Sequence, residues 1–166
     1  MAPDIRFDGR LLFLSADADV VAAQLGGHDV QLAAALPLRD QLSTDEITPA
    51  WACLHYDSTL GRYAYIGLKC AERFPVAVDA VRSGGFAVSV SGQRRGKGSA
   101  REASPYAEFC AGIRLVIAES FERTYLQNCH NLGLYASTDF ALIAVSYTHL
   151  RAHETKANLV CRLLLE

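Results

Sequence analysis

Apolar residues fall along the chain in short blocks set apart by glycine pairs and polar turns. Residues 7–14, with the run Arg10-Leu11-Leu12-Phe13-Leu14, read as a first strand. Residues 17–25 read as a short helix stopped by Gly26-Gly27. The alanine-rich stretch 30–38 fits strand or helix, and its periodicity does not choose between them. Residues 39–49 turn polar. Ser43, Thr44 and Asp45 compete with the backbone for hydrogen bonds there, which predicts a loop or a helix cap. Residues 74–83 read as a helix ended by Gly84-Gly85, and 86–90 as a strand inside the alternating run Phe86-Ala87-Val88-Ser89-Val90-Ser91. A helix over 102–110, a doubly buried strand over 115–118, a helix over 121–131 closed by Gly133, and a last strand over 141–145 complete the pattern. Alternating strand and helix predict an α/β domain.

Composition narrows the function classes. The 166 residues are large enough for one domain with a real core, 51% of them are hydrophobic, and the net charge is −2. That balance gives no bulk electrostatic case for nucleic acid or an anionic membrane surface. No apolar run approaches the ~20 residues of a membrane span, and the first residues, Met1-Ala2-Pro3-Asp4, lack the layout of a secretion signal. Five cysteines, Cys53, Cys70, Cys110, Cys129 and Cys161, are widely spaced with no Cys-x-x-Cys, so free thiols in a reducing cytoplasm are expected and no metal or cluster cradle. Trp51, Tyr56, Tyr63 and Tyr65 crowd residues 51–65 and fit either core burial or packing against a partner. His55 beside them has no acid at an obvious spacing.

The chemistry concentrates in Gly96-Lys97-Gly98-Ser99-Ala100-Arg101-Glu102, between the strand at 86–90 and the helix at 102–110. A glycine-rich turn at that place aims backbone amides and the positive end of a helix at one point, where an anion is stabilised. Ser99 sits there as a hydroxyl that such a field makes more acidic, and Arg101 as a fork for a carboxylate. Gly96 and Gly98 let the backbone approach without a Cβ. Arg94, Arg95 and Lys97 read as a solvated basic cluster that favours a multiply charged carboxylate. A nucleotide loop is disfavoured, because Gly-Lys-Ser/Thr is missing.

Three segments in order, Leu42-Ser43-Thr44-Asp45-Glu46-Ile47-Thr48-Pro49, the turn above, and Ala111-Gly112-Ile113-Arg114-Leu115-Val116-Ile117-Ala118-Glu119-Ser120-Phe121, resemble the swivel domain of the aconitase superfamily. That domain is the small subunit of 3-isopropylmalate dehydratase or the mobile domain of aconitase. The resemblance spans about residues 40–142. It implies a swivelling β/β/α three-layer α/β fold and a hydro-lyase that isomerises a hydroxy di- or tricarboxylic acid by dehydration and rehydration. It implies Ser99 as the catalytic base and Arg101, Asp45, Thr48 and position 100 as substrate-binding. A [4Fe–4S] cluster would be held by a large subunit or a downstream domain, and the isolated chain would be inactive. Ala100 departs from the family, where a second substrate-contacting serine is common, and Lys97 stands where small or polar residues are usual. A non-catalytic anion-binding or interaction domain of the same fold is the alternative.

From residue 145 the character changes. Residues 145–166 resemble a tail that recurs on unrelated proteins and looks like translated sequencing-adapter DNA, so a swivel domain over 1–144 and a non-native tail over 145–166 are expected, with a natural chain continuing past Ala144. Within that tail, 159–165 is the stretch with helix-forming character.

Overall fold

The computed structural model describes residues 5–55, 57–143 and 158–161. Four parallel strands form its centre: β2 (Arg10–Phe13), β3 (Phe86–Ser91), β4 (Leu115–Ala118) and β5 (Tyr135–Ser137), in the order β2-β3-β4-β5. The first predicted strand is split at Gly9. Before it, β1 (Ile5–Asp8) pairs antiparallel with β6 (Asn158–Cys161) as a separate two-stranded piece. A Cβ on Gly9 would lie 2.7 Å from Ala87 Cβ, so glycine is required where the chain crosses β3.

Strand alternation sorts the core residues of the sheet into two clusters, one on each face. Leu11, Phe13, Val88, Val90, Leu115 and Ile117 join one cluster; Leu12, Leu14 and Val116 join the other. In register, Ser89 lies beside Leu12 and Val116, so β3 brings polar side chains to that second face.

The helices are α1 (Ala18–Leu25), α2 (Leu32–Ala35), α3 (Thr44–Ile47), α4 (Ala80–Ser83), α5 (Ala103–Cys110) and α6 (Arg123–Leu132). Asp17 caps α1 by accepting from the Asp19 amide, and Gly133 ends α6 in the left-handed region. The open stretch at 30–38 resolves into the single turn α2. α5 packs against α6, α3 and the 3₁₀ stretch Ser58–Tyr63.

Several sequence expectations are corrected. The helix over 74–83 shrinks to α4: Pro75 and the β-branched Val76 and Val78 disfavour a helix there, and Asp79 is left-handed at φ 67°. Strand β5 carries too few residues, and too exposed a face, to stand out in the sequence. Residues 141–143 are a helical turn, where a strand was expected. Of the tail only β6 is described, and it is extended where a helix was expected. The 144/145 boundary and Tyr56 lie outside the described residues.

Candidate functional site

Ser43 starts α3 with a reciprocal cap. Its hydroxyl accepts from the Glu46 amide at 3.1 Å, while Glu46 Oε2 accepts from the Ser43 amide at 3.0 Å. Four residues of helix thereby point Asp45 outward, 63% exposed at its side chain. The turn at 96–102 is laced to the strand-like segment just before this helix. The amides of Gly96 and Lys97 donate to the Leu42 carbonyl at 2.8 and 3.1 Å, and the Thr44 amide donates to the Lys97 carbonyl at 2.9 Å. On the far side, Ser104 Oγ donates to the Thr44 carbonyl at 3.1 Å. Two segments fifty residues apart in sequence are therefore held as one surface.

On that surface Ser99 and Ala100 are exposed, and Arg101 Nη1 donates to Asp45 Oδ1. Thr48 lies behind them, fully buried, and neither its hydroxyl nor that of Thr44 has a protein partner among the described residues. Gly96 and Gly98 both have positive φ, 86° and 108°. A Cβ on Gly96 would sit 2.3 Å from Tyr125 Cβ, and one on Gly98 3.5 Å from Thr44 Oγ1. Gly96→Ala is therefore expected to destabilise the fold by at least ~1–3 kcal/mol from backbone strain alone, read as a lower urea midpoint; Gly98→Ala, with room for the methyl, is expected to lose less. Beside the turn runs an open polar groove of about 480 Å³, lined by Arg39, Gln41, Ser43, Glu46, Lys97 and Gly98.

The expected convergence of amides is partial. Those of Gly96 and Lys97 are engaged by Leu42, and that of Arg101 donates to the Ser99 carbonyl at 2.8 Å. No side chain accepts a capping hydrogen bond at α5 and no acid stands in its first turn, but the N-cap residue is itself an acid, Glu102, beside the positive end of this eight-residue helix.

The basic cluster is not one cluster. Arg94 pairs with Glu122 at 2.7 Å and Lys97 Nζ donates to Gln41 Oε1 at 2.8 Å, both at the surface. Arg95, by contrast, is 0% exposed. Its guanidinium donates to Glu108 Oε1 at 2.5 Å, Tyr65 Oη at 2.7 Å, Ser89 Oγ at 2.8 Å, and Ser91 Oγ and Tyr125 Oη at 3.1 Å each. Tyr65 Oη donates to Glu108 Oε1 at 2.6 Å, and Tyr125 Oη donates to Glu108 Oε2. Burial works against the Arg95 charge, but Tyr125, Tyr65 and Glu108 outweigh it and hold its pKa well above the ordinary value. Burial also holds both tyrosine hydroxyls protonated far above their usual range. A folded-state pKa raised above the unfolded one keeps its stabilisation below the unfolded value, so urea stability is expected to decline once pH passes about 10, where the unfolded chain's tyrosines ionise.

The sequence missed this network, although two signs of it were present. Ser89 and Ser91 put hydroxyls on one face of an otherwise apolar strand, and Glu108 interrupts the apolar side of α5.

The aromatic stretch divides. Tyr65 is core, while Trp51 is 56% exposed and packs edge-on to Tyr63, on which His55 stacks at 5.0 Å.

A sequence profile of the aconitase C-terminal domain matches residues 57–136. Over this segment the chain is similar to the aconitase C-terminal domain family. The match takes in the turn at 96–102 and the strands and helices on either side of it. The "3-isopropylmalate dehydratase small subunit 2" of Archaeoglobus fulgidus is 38% identical over 95 residues, covering 57% of this chain and 54% of that protein. That of Methanopyrus kandleri is 41% identical over 98 residues, covering 57% and 53%. The small subunit from Pyrobaculum aerophilum is 37% identical over 101 residues, 60% and 58%. The chain thus spans about half the length of the curated relatives it matches. A crystal structure of 3-isopropylmalate dehydratase from Methanocaldococcus jannaschii shares the fold, with a TM-score of 0.53 at 23% identity over 96% of this chain and 85% of that one. The mixed α/β domain with a parallel sheet expected of an aconitase-type swivel domain is what this chain forms.

Proposed function

We propose that this chain is the swivel part of a hydro-lyase that isomerises a hydroxy di- or tricarboxylic acid by removing and returning water. The observation that carries the reading is the exposed Ser99 placed beside Arg101, whose guanidinium meets Asp45 across the turn. The relatives named above, small subunits of 3-isopropylmalate dehydratase, support it.

In this reading Arg101 takes a substrate carboxylate through two parallel hydrogen bonds, displacing or sharing Asp45. Asp45 then orients the guanidinium and neighbouring polar groups, and the Thr48 hydroxyl, with no protein partner, is a reserve donor behind the site. Ser99 receives the carbon-bound proton. A serine hydroxyl is too weakly acidic to serve as a base in water, so its anion needs the α5 terminus, Arg101 and a dry surrounding. Ser99 is exposed in this chain, which supports a site completed by a cluster-bearing large subunit or domain that covers it and a chain inactive by itself.

The family implies a [4Fe–4S] cluster, which would supply Lewis-acid assistance to the leaving hydroxyl. Two of the thiols described here, Cys70 and Cys129, lie in the core and do not fit as its ligands. Cys70 Sγ is buried and donates to the Ser15 carbonyl at 3.4 Å, and Cys129 is fully buried, where burial pushes its thiol up to about 12. We assign the cluster to the partner. A cytoplasmic setting fits the free thiols, and no helix among the described residues is long and apolar enough to cross a membrane.

Ala100, where the family commonly has serine, favours a second reading, a non-catalytic anion-binding domain. Calorimetric titration of the chain with hydroxy di- and tricarboxylates and with inorganic phosphate separates the two. The proposal expects carboxylate binding that Arg101→Gln weakens by ~10–100-fold. Arg101-dependent phosphate binding with no carboxylate binding would support the second reading instead.

A further inference from the structure

The two halves of the candidate site are separate in sequence, and each hangs on the same buried polar cluster. Arg95 immediately precedes the turn and Glu108 lies on α5, the helix that follows it. Tyr125, which accepts from Arg95 and donates to Glu108, lays its Cβ against Gly96, the first residue of the turn. Both ends of the turn are thus tied to one ion pair. Tyr65 extends the tie to the other half. Its amide donates to the carbonyl of Ile47, the last residue of α3, at 2.7 Å, and two residues on, the backbone at Gly67 comes so close that a Cβ there would sit 2.2 Å from the Asp45 carbonyl.

Every side-chain nitrogen and oxygen in the cluster has at least one hydrogen-bond partner, and Arg95 and Glu108 are each 0% exposed. A buried ion pair is not needed to fill such a space. Apolar side chains of like volume often hold a core as well or better. What the guanidinium adds is direction. A planar fork that satisfies two serines, two tyrosines and a carboxylate has one orientation, and so one register for the segments that carry them.

We propose that Arg95 and Glu108 are positioning residues that fix the 96–102 turn and α3 in a single register, so that Arg101, two residues from Ser99, meets Asp45. This rests on the reading of that surface as the substrate site, but its test does not. Amide hydrogen exchange is followed residue by residue in the full chain, for the wild type, for R95K, and for the double variant R95M/E108L, in which no charge is left unpaired. The expected result is a double variant that remains folded, with an unfolding midpoint near the wild type, whose Gly96, Lys97 and Thr44 amides exchange roughly ten-fold faster or more while β4 amides such as Ile117 keep their protection. R95K, which keeps the charge but not the fork, is expected to show the same selective loss. Wild-type protection of the turn in the folded double variant would overturn the proposal. So would acceleration spread evenly over sheet and turn, which marks a purely structural pair. Should the double variant not fold, Y125F removes one hydroxyl from the cluster and is held to the same two outcomes. If the chain proves to have no part in dehydration, turnover is absent with wild type as well, and the exchange pattern still decides whether the cluster sets the register.

Discussion

Ser99→Ala is expected to lower turnover of the assembled enzyme by at least ~100-fold, the scale of a lost general base, while leaving substrate affinity within a few-fold. The substitution removes one exposed oxygen from a turn held elsewhere. The bonds that shape it run from Gly96 and Lys97 to Leu42 and from Thr44 to Lys97, and none uses the Ser99 side chain. Arg101 keeps its guanidinium and Asp45 its carboxylate, so the carboxylate grip survives. A fall in kcat with little change in KM marks an interaction made only in the transition state. Steady-state kinetics with the partner in excess, together with calorimetry, read the two effects separately. A mutant with ordinary turnover would remove Ser99 from the chemistry, and a mutant that loses binding as well would make it a substrate ligand.

Glu108→Leu is expected to reduce unfolding free energy by ~3–5 kcal/mol, because it leaves the Arg95 charge buried without its counter-charge. Against a typical total of ~5–15 kcal/mol this brings the domain close to unfolding at ambient temperature. Tyr125 and Tyr65 lose their acceptor in the same step, which adds to the loss. Removing Arg95 together with Glu108 is expected to recover much of it, so the pair is strongly non-additive in a double-mutant cycle. The other site pair behaves differently. Arg101 with Asp45 lies at the surface, and Asp45→Asn is expected to change stability by no more than ~1 kcal/mol. Urea unfolding of the wild type, the Arg95 and Glu108 single variants, their double variant and Asp45→Asn measures all of this. A Glu108→Leu protein as stable as wild type would mean that the cluster is hydrated or the charge absent.

What the sequence disclosed follows from how local each signal is. The stop at Gly26-Gly27, the closing Gly133 and the alternating strand at 86–90 are set by neighbours within a few residues and could be read directly, while residues 43–46, open between loop and cap in the sequence, form the cap. Residues 74–79 could not, because an apolar run with alanine suggests a helix while Pro75 and the left-handed Asp79 decide otherwise. The short edge strand β5 depends on pairing with β4, not on its own three residues. At the site, Ser99 and Arg101 were legible as chemistry from the glycine-rich turn, whereas Asp45 entered only through the family resemblance; the contact of Arg101 with Asp45 depends on backbone bonds between residues 42–44 and 96–97. Arg95 was misread for the same reason. Two arginines in a glycine-rich loop look solvated, and only tertiary packing turns one inward onto Ser89, Ser91 and Glu108.

The most direct measurement mixes the folded chain with a cluster-loaded large subunit of 3-isopropylmalate dehydratase and follows the dehydration of 3-isopropylmalate and related hydroxy acids by the absorbance of the unsaturated product. No turnover is expected from either component alone, and turnover that saturates with added chain is expected from the mixture. A mixture in which the two proteins associate, the cluster is intact and no hydroxy acid is dehydrated would contradict the proposed function.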